Sequence, residues 1–250
     1  MRRLSDAWFE FKGINSKFMG IRLRQMPTRF LPGRNYTRQK VAGRNGSIRI
    51  GDGTFNDVQV RIECDVLNEA MLPEIWSWLS GCGSLRFSDE PNLAYDASIE
   101  KEYSRSPINS RFIGQRFVVV WTCAPFRRMV PEPLPMTFTD STMRPFINPG
   151  TAPSLPRVEI IGSGDFALTI GDQTLIFTNV DSGIIVDSEL GDALTLDGSR
   201  LANNHTNGEL FQIQPGENYV TWSLGGAGED GNDAPGNIKK VTITPRWRWI

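Results

Sequence analysis

The sequence is poor in the residues from which most catalytic and metal sites are built. Its 250 residues include one histidine, His205, and three cysteines, Cys64, Cys82 and Cys123. A single histidine cannot form a multi-histidine metal site, and any histidine-based triad would have to use this residue. The cysteines are far apart and form no C-x-x-C pair, so they indicate neither a zinc site nor a disulfide framework. We therefore expect no bound metal, no cofactor and no enzyme activity.

Long apolar runs are also missing. No stretch approaches the roughly 20 apolar residues that cross a bilayer. Arg2 and Arg3 are not followed by the apolar segment of a secretory signal. We expect a protein that is made and assembled in the cytosol and does not insert into membranes. The hydrophobic fraction of 39%, with 10% aromatic residues, is typical of a folded chain.

Individual candidates for chemistry have simpler explanations. Cys64 and Cys123 lie among alternating apolar residues, which predicts small buried hydrophobes. His205 lies in a polar loop, where we expect a solvated side chain. Residues 225–230 match the start of a calcium-binding nonapeptide repeat, but the match occurs once and such repeats act as stacked arrays. We interpret that stretch as a flexible hairpin loop.

Charge and proline content divide the chain into two parts. Residues 1–130 hold 20 Lys and Arg against 13 Asp and Glu, a net charge of +7. Residues 131–250 hold 7 against 15, a net charge of −8. Seven of the 16 prolines lie within residues 131–156, a density that excludes a helix or a central strand and favours stiff, extended backbone. We predict an N-terminal domain over 1–130, a proline-rich linker over 131–156 and a C-terminal domain over 157–250.

Strands and one helix are predicted in the first part. Phe9 and Phe11 alternate with charged residues, as in a half-buried strand. The cleanest alternation follows the apolar residues Val58, Val60, Ile62, Cys64 and Val66. One helix is predicted between a cap near Asn68 and an end at Gly81 or Gly83. Its apolar residues at helical spacing are Leu72, Ile75, Trp76 and Leu79. We expect these apolar residues to pack on the sheet; a ligand platform made of Trp76 and Trp78 is the alternative.

The segment at about 26–47 is basic and rich in turn residues. It can be a solvated loop or projecting two-stranded arm, a subunit-contacting arm, or a nucleic-acid patch. Phosphate binding needs Lys and Arg, but this segment has neither the interleaved aromatics expected for single strands nor a recognition helix. Gly51-Asp52-Gly53, which follows it, is predicted to be a turn.

Short strands separated by turn signals are predicted in the last part. Alternating residues such as Phe166, Leu168 and Ile170 are followed by Gly171-Asp172. Turn signals recur about every ten residues, a spacing typical of a β-sandwich. The fold class predicted for the whole chain is therefore mainly β with one helix.

The residues also resemble those of a known family. The opening Trp8-Phe9-Glu10-Phe11-Lys12-Gly13-Ile14-Asn15-Ser16 is similar to the start of the distal tail (Dit) proteins of long-tailed, siphovirus-type bacteriophages. Gly43-Arg44-Asn45-Gly46-Ser47 resembles a second stretch of that family. Ile160 to Gly162, Ile184 to Asp187 and Pro215 to Asn218 are similar, in that order, to the family's galectin-like C-terminal domain.

The resemblance implies both a fold and a structural role. It implies an N-terminal tail-tube-like β-barrel or sandwich with a helix, and a galectin-like C-terminal β-sandwich. It further implies a homo-hexameric ring in the virion, stacked on the tail tube protein and leaving a channel through which DNA passes as cargo. Tail-tip, other baseplate and receptor-binding proteins are the remaining implied partners. The arm would contact a neighbouring subunit, for which the candidate residues are Arg29, Arg34, Arg38 and Arg44.

A carbohydrate-binding module in the C-terminal domain is the alternative function. Exposed tryptophan with nearby Asn and Arg is typical of sugar sites on such sandwiches, and the candidates are Trp222, Asn203, Asn204 and Arg200. The competing interpretation is that Trp222 points into the core on the same strand face as Val220. A cell-wall hydrolase is a third hypothesis, but no catalytic constellation supports it.

Overall fold

The chain folds into two compact units. A computed structural model describes residues 6–66, 68–99, 104–107, 115–225 and 236–250. Met1–Val130, with Ile250, forms the first unit, and Pro131–Trp249 forms the second. Each unit is a β structure, and the predicted fold class, mainly β with one helix, is confirmed for the described residues.

Antiparallel strands build the first unit. Its helix is α1 (Leu72–Leu79). Its strands are β1 (Phe9–Phe11), β2 (Ile14–Asn15), β3 (Ile21–Leu23), β4 (Arg34–Lys40), β5 (Ser47–Phe55), β6 (Val58–Val66), β7 (Gly81–Phe87), β8 (Glu90–Ile99), β9 (Ser104–Pro107) and β10 (Gln115–Met129). The main sheet has the order β2-β1-β7-β8-β10-β6-β3, with β9 also pairing with β10. Strands β4 and β5 form a separate two-stranded sheet.

Aromatic residues form the centre of the first core. Phe9 and Phe11 are fully buried, as the alternation along β1 predicts. The Phe9 ring stacks on Trp78 with 5.6 Å between centroids and meets Trp121 edge-on at 5.2 Å. The Trp78 indole N–H donates a hydrogen bond to the Phe11 carbonyl at 2.9 Å. These contacts tie helix α1 to strand β1.

Helix α1 packs its apolar face on the sheet. Asn68 caps a 3-10 turn that precedes it, and Pro73 occupies the first helical turn, where a missing N–H is tolerated. The buried residues are Leu72, Ile75, Trp78 and Leu79. Trp76, expected in this face, is only partly buried and meets Phe117 edge-on. The alternative of a two-tryptophan ligand platform is not supported, because Trp78 is buried.

The length of the helix can be compared with the thickness of a bilayer. Among the described residues, no helix is long and apolar enough to cross a bilayer.

Cys64 and Cys123 are both buried in the first unit, as predicted. Burial raises the pKa of the Cys123 thiol to about 12, and burial raises the pKa of Cys64 further still. Both thiols therefore stay protonated at neutral pH and act as small apolar side chains. Cys82 is exposed and free.

Two layers of strands that share one long strand make up the second unit. Its strands are β11 (Met136–Phe138), β12 (Arg144–Asn148), β13 (Arg157–Ile170), β14 (Gln173–Val180), β15 (Gly183–Asp187), β16 (Asp192–Thr195), β17 (Thr206–Asn207), β18 (Gly216–Leu224), β19 (Asn237–Thr244) and β20 (Arg248–Trp249). The first half of β13 pairs with β19 and β15. Its second half pairs with β14 and β18. Bulges at Gly162 and Gly164 separate the halves.

The proline-rich segment contributes two edge strands to the second unit. We expected a linker over 131–156, but β11 pairs with β19 and β12 pairs with β18 inside it. Among the strands that the structure describes, each of these two has a neighbour on one side only. Proline lacks an N–H donor, so it is tolerated at a sheet edge and excluded from the centre. The density of prolines predicted extended backbone but could not predict pairing.

An ion pair between the buried Asp187 and the partly exposed Arg246 holds residues near the end of the chain to the second unit. The Arg246 guanidinium donates to both carboxylate oxygens of Asp187, at 2.6 and 2.9 Å. Burial opposes ionisation of Asp187, but the bonds from Arg246 and from the backbone N–H groups of Leu190 and Glu189 outweigh it and hold the pKa of Asp187 below its usual value. The second unit therefore gains stability from an ionised Asp187.

Candidate functional site

Strands β4 and β5 form a two-stranded arm that is separate from the main sheet of the first unit. Every residue of β4 is exposed, and so is every residue of β5 except Phe55. The base of the arm is closed by a hydrogen bond from the Asn56 N–H to the Gly33 carbonyl, at 2.8 Å. Phe55 anchors the arm, because its ring meets the Phe126 ring edge-on. The Arg34 guanidinium lies over the Phe55 ring, 5.0 Å from its centroid. A strand rises about 3.3 Å per residue, so the seven residues of β4 extend about 20 Å.

The arm lies later in the sequence than expected. We predicted about 26–47, whereas the paired strands run over 34–55. The tip lies at 41–46, where Gly43 and Gly46 adopt positive φ angles. Gly51-Asp52-Gly53, predicted to be a turn, is part of β5 at a shift in strand register. There the Asp52 carboxylate accepts bonds from the N–H and hydroxyl of Thr54, so the turn-forming residues make a bulge instead of a reversal.

One face of the arm is basic. Strand register places Arg38 opposite Arg49, and Lys40 opposite Ser47, on the same face as Tyr36. The Arg49 guanidinium lies 5.5 Å from the Tyr36 ring centroid. Among the described residues neither Arg38 nor Arg49 has a carboxylate partner. Like charges directly opposite each other destabilise a strand pair, so this face favours an acidic partner.

The opposite face of the arm carries apolar and uncharged polar side chains. Ile48 pairs with Gln39 and Ile50 pairs with Thr37. Ile48 is 36% exposed and Ile50 is 55% exposed. Just before β4, Phe30 and Leu31 are also exposed. Strand register places Ile48 and Ile50 on one face, and exposed apolar side chains that share a face are a feature of protein–protein contacts. We therefore expect the apolar face to contact an apolar surface and the basic face to contact an acidic one.

The four predicted contact arginines have different environments. Arg38 and Arg44 are exposed on the arm, and Arg34 covers Phe55 at its base. Arg29 lies outside the arm and pairs with Asp89 at 2.7 Å and with Glu90, while its guanidinium covers the Phe87 ring. Arg29 is thus engaged within its own unit and fixes the chain leading into β4.

Several arm residues were not singled out from the sequence. Tyr36, Ile48, Ile50 and Arg49 belong to the exposed faces described above, but the sequence predicted only a strand for Ile48 and Ile50. Alternating isoleucines indicate a strand and do not show which side is covered. The signal that could have found them is the run of cations in both strands, which is rare where a sheet face is buried.

The residues predicted for sugar binding do not form a site around an exposed tryptophan. Trp222 is only 8% exposed, so it is a core residue beside Val220, as the competing interpretation holds. Asn203 is used by the fold, because its amide accepts from the Ala193 N–H at 2.5 Å and donates to Asp192 at 2.8 Å. Arg200 is exposed. A sugar site built on Trp222 is therefore not supported.

Other candidates for chemistry can also be placed. The prediction of a solvated His205 is wrong in part, because its side chain is half-buried and its Nδ1 lies 2.9 Å from the Thr178 carbonyl. The calcium-repeat match at 225–230 lies, apart from Gly225, outside the described residues. Within the described ranges no cluster of three or more His, Cys, Asp or Glu side chains is placed to hold a metal ion.

The fold is similar to that of a known phage protein. The chain matches the crystal structure of the Dit protein (gp 19.1) of phage SPP1 with a TM-score of 0.66. The match covers 98% of this chain and 99% of that chain, at 12% sequence identity. That structure is described as a paradigm of the hub adsorption apparatus in phages that infect Gram-positive bacteria. No protein-family model matches the sequence, and no curated protein matches it. The resemblance stated from the residues is therefore confirmed as a Dit-like fold.

Proposed function

We propose that this protein is a structural component of a phage tail, a hub at the distal end of the tail. The observation that carries the proposal is the Dit-like fold, which extends over nearly the whole chain and over nearly the whole of the SPP1 hub protein. A match confined to one unit would have been compatible with many β proteins, because folds are shared between functions. A match that covers both units in the same order is more specific evidence for a hub role.

The proposed assembly is a homo-hexameric ring made by the first units. The arm supports it, because a ribbon exposed on both faces has no partner in its own chain among the described residues and is anchored at its base. In the ring, the apolar face with Ile48 and Ile50 packs on a neighbouring subunit. The basic face with Arg38 and Arg49 meets carboxylates of that assembly. Burial of apolar area provides most of the affinity, and the charges set orientation.

The proposed partners follow from this position in the virion. The ring stacks on the last ring of the tail tube protein and leaves a channel through which DNA passes at infection. The second unit contacts tail-tip, baseplate or receptor-binding proteins. Assembly takes place in the host cytoplasm, and the role is structural and not catalytic.

The proposal is tested by electron microscopy of the purified protein, alone and mixed with tail tube protein of the same phage. Six-fold rings with a central opening, and end-on stacking on tubes, are expected. Uniform monomers in both samples would contradict the proposal. Rings that never bind tubes would contradict the tube contact but leave the ring in place.

A further inference from the structure

A cavity in the second unit has no part in the proposed ring. It lies between the turn that joins β14 to β15 and the loop that follows β16, and its volume is about 650 Å³. This size falls within the range of small-molecule sites, which is roughly 300 to 1,000 Å³. All the residues that line it belong to 179–205, a continuous part of one unit. The cavity is therefore a property of the folded unit itself.

The floor of the cavity is apolar and close-packed. Val180, Ile184 and Ala202 line it and are buried. Gly183 also lines it, at a φ angle of 155°, and a Cβ at this position would lie 2.5 Å from the Ile160 carbonyl oxygen and 3.2 Å from Leu196. Glycine is therefore required for the wall to come this close. Such a floor can pack against the C–H groups of a ligand.

The rim of the cavity is polar, and part of it is rigid. The Asp197 carboxylate accepts bonds from the hydroxyls of Thr195 and Ser199 and from the Ser199 N–H. These bonds lower the pKa of Asp197 to about 2. Asp197 thus stays ionised and is occupied in holding the loop. The Thr195 N–H donates to the Arg200 carbonyl at 2.9 Å, which closes the same loop and fixes the backbone of Arg200.

Three groups on the rim remain available to a ligand. Asp181 and Arg200 line the cavity with exposed side chains that have no partner in the part of the chain that the structure describes. His205 Nδ1 must carry its hydrogen, because it faces the Thr178 carbonyl, which only accepts. The Nε2 atom of His205 is the ring nitrogen that this bond leaves for a ligand. The rim offers one carboxylate acceptor, one guanidinium donor and one imidazole nitrogen around an apolar floor.

We propose that this cavity binds a neutral, polyhydroxylated ligand of the saccharide class. Vicinal hydroxyls both donate and accept, so they can donate to the Asp181 carboxylate, accept from the Arg200 guanidinium and pair with His205 Nε2 whether or not that nitrogen carries a hydrogen. The apolar floor takes the C–H face of the sugar ring. This site is separate from Trp222, and it adds a ligand to the second unit without altering the proposed ring.

Other ligand classes fit the cavity less well. A phosphate or sulfate would face two carboxylates, Asp181 and Asp197, against one guanidinium, and like charges disfavour it. A divalent cation needs several oxygen ligands, whereas Asp197 is occupied and the described residues contain no cluster of metal-binding side chains. A wholly apolar ligand would leave the polar rim unpaired.

Saturation-transfer NMR on the full chain tests this proposal. The probes are glucose, galactose, N-acetylglucosamine and their β-linked disaccharides, with glycerol, inorganic phosphate and calcium chloride for comparison. At least one neutral sugar is expected to give a signal at millimolar concentration. Arg200→Ala and Asp181→Asn are expected to weaken its binding about tenfold each, since a hydrogen bond to a charged group contributes about that factor.

Matched variants make the outcome specific. Arg157→Ala and Asp172→Asn replace exposed residues of the same types outside the cavity lining and are expected to leave sugar binding unchanged. Three results would each overturn the proposal. The first is no signal from any sugar, and the second is a signal from phosphate, calcium or glycerol only. The third is sugar binding that both cavity variants retain. Ring formation is expected to be normal in all four variants, so failure here is distinguishable from failure of the hub proposal.

Discussion

Arg38 and Arg49 lie directly opposite each other across the antiparallel strands of the arm. Arg49 also lies over the Tyr36 ring, and in the described residues no carboxylate pairs with either guanidinium. A free ribbon gains nothing from facing two cations. The arrangement is understandable if the arm functions against an acidic surface of another subunit, where both cations find partners.

Charge reversal of Arg38 should separate stability of the arm from assembly. Arg38→Glu places a carboxylate opposite Arg49, which converts a repulsive cross-strand pair into an attractive one. The unfolding temperature should stay the same or rise slightly, while the concentration at which half the protein assembles should rise about tenfold or more. Calorimetry and light scattering measure the two quantities.

Arg157→Glu is the control for Arg38→Glu. Arg157 is exposed at the start of β13 in the second unit and is not part of the arm, so assembly should match that of the wild type. If Arg38→Glu assembles like the wild type, the basic face does not contact a subunit.

Polar substitution of the apolar face should weaken the ring without unfolding the unit. Ile48→Asn with Ile50→Asn changes two side chains that are already exposed in the single chain, so the free energy of unfolding should change little. Assembly should weaken strongly, because about 25 cal/mol per Å² of buried apolar area is lost. Sedimentation velocity measures the effect, and Ile176→Asn, at an exposed strand position of the second unit, should sediment like the wild type.

The hydrogen bond from Trp78 to Phe11 should be measurable against a matched tryptophan. Trp78→Phe removes the N–H that satisfies the Phe11 carbonyl. Trp121→Phe makes a similar cavity, but the Trp121 N–H is buried with no partner among the described residues. In urea titrations Trp78→Phe should therefore cost about 1 to 2 kcal/mol more than Trp121→Phe. If the two variants lose the same free energy of unfolding, the hydrogen bond does not stabilise the fold beyond the packing of the ring.

The Asp187–Arg246 pair should make the second unit sensitive to acid. The pKa of Asp187 is lowered in the folded state, so its contribution is fully present above the unfolded pKa of about 3.9 and is lost as pH falls through the folded pKa. Asp187→Asn should cost about 1 to 2 kcal/mol at pH 7, since it removes charge-assisted hydrogen bonds while Arg246 keeps Glu189 as a partner. Its urea stability should also fall less than that of the wild type between about pH 5 and pH 3. Parallel pH profiles for the two proteins would contradict this role of the pair.

Local patterns in the sequence predicted much of the fold. Alternation places Phe9 and Phe11 in the core and defines β6, and helical spacing finds α1. The same spacing selected Trp76, whereas Trp78 is the buried residue, because its N–H reaches the Phe11 carbonyl on a neighbouring strand. A contact between residues 67 positions apart has no local signal.

The bounds of the arm could not be predicted from the sequence. Basic residues and glycines indicated a projecting segment, but they did not show which glycines form the turn at its tip. Gly43 and Gly46 form the tip, while Gly51 and Gly53 lie within β5. Turn-forming residues serve both turns and bulges, and only strand register distinguishes them. Register also decides that Arg38 and Arg49 share a face, which composition cannot show.

The central claim, that the arm assembles the first units into a ring, is tested most directly by the mass of the protein in solution with and without the arm. Because Arg34 pairs with Phe55 and Gly33 is hydrogen-bonded to Asn56 at the base, a two-residue Asn-Gly turn can replace residues 35–54 and keep the Phe55 anchor on Phe126. Light scattering should give about six times the 28.0 kDa of one chain for the intact protein. The arm-deleted protein should keep its thermal unfolding transition and have the mass of one chain. An intact protein that stays monomeric at every concentration, or an arm-deleted protein that still forms hexamers, would contradict the account.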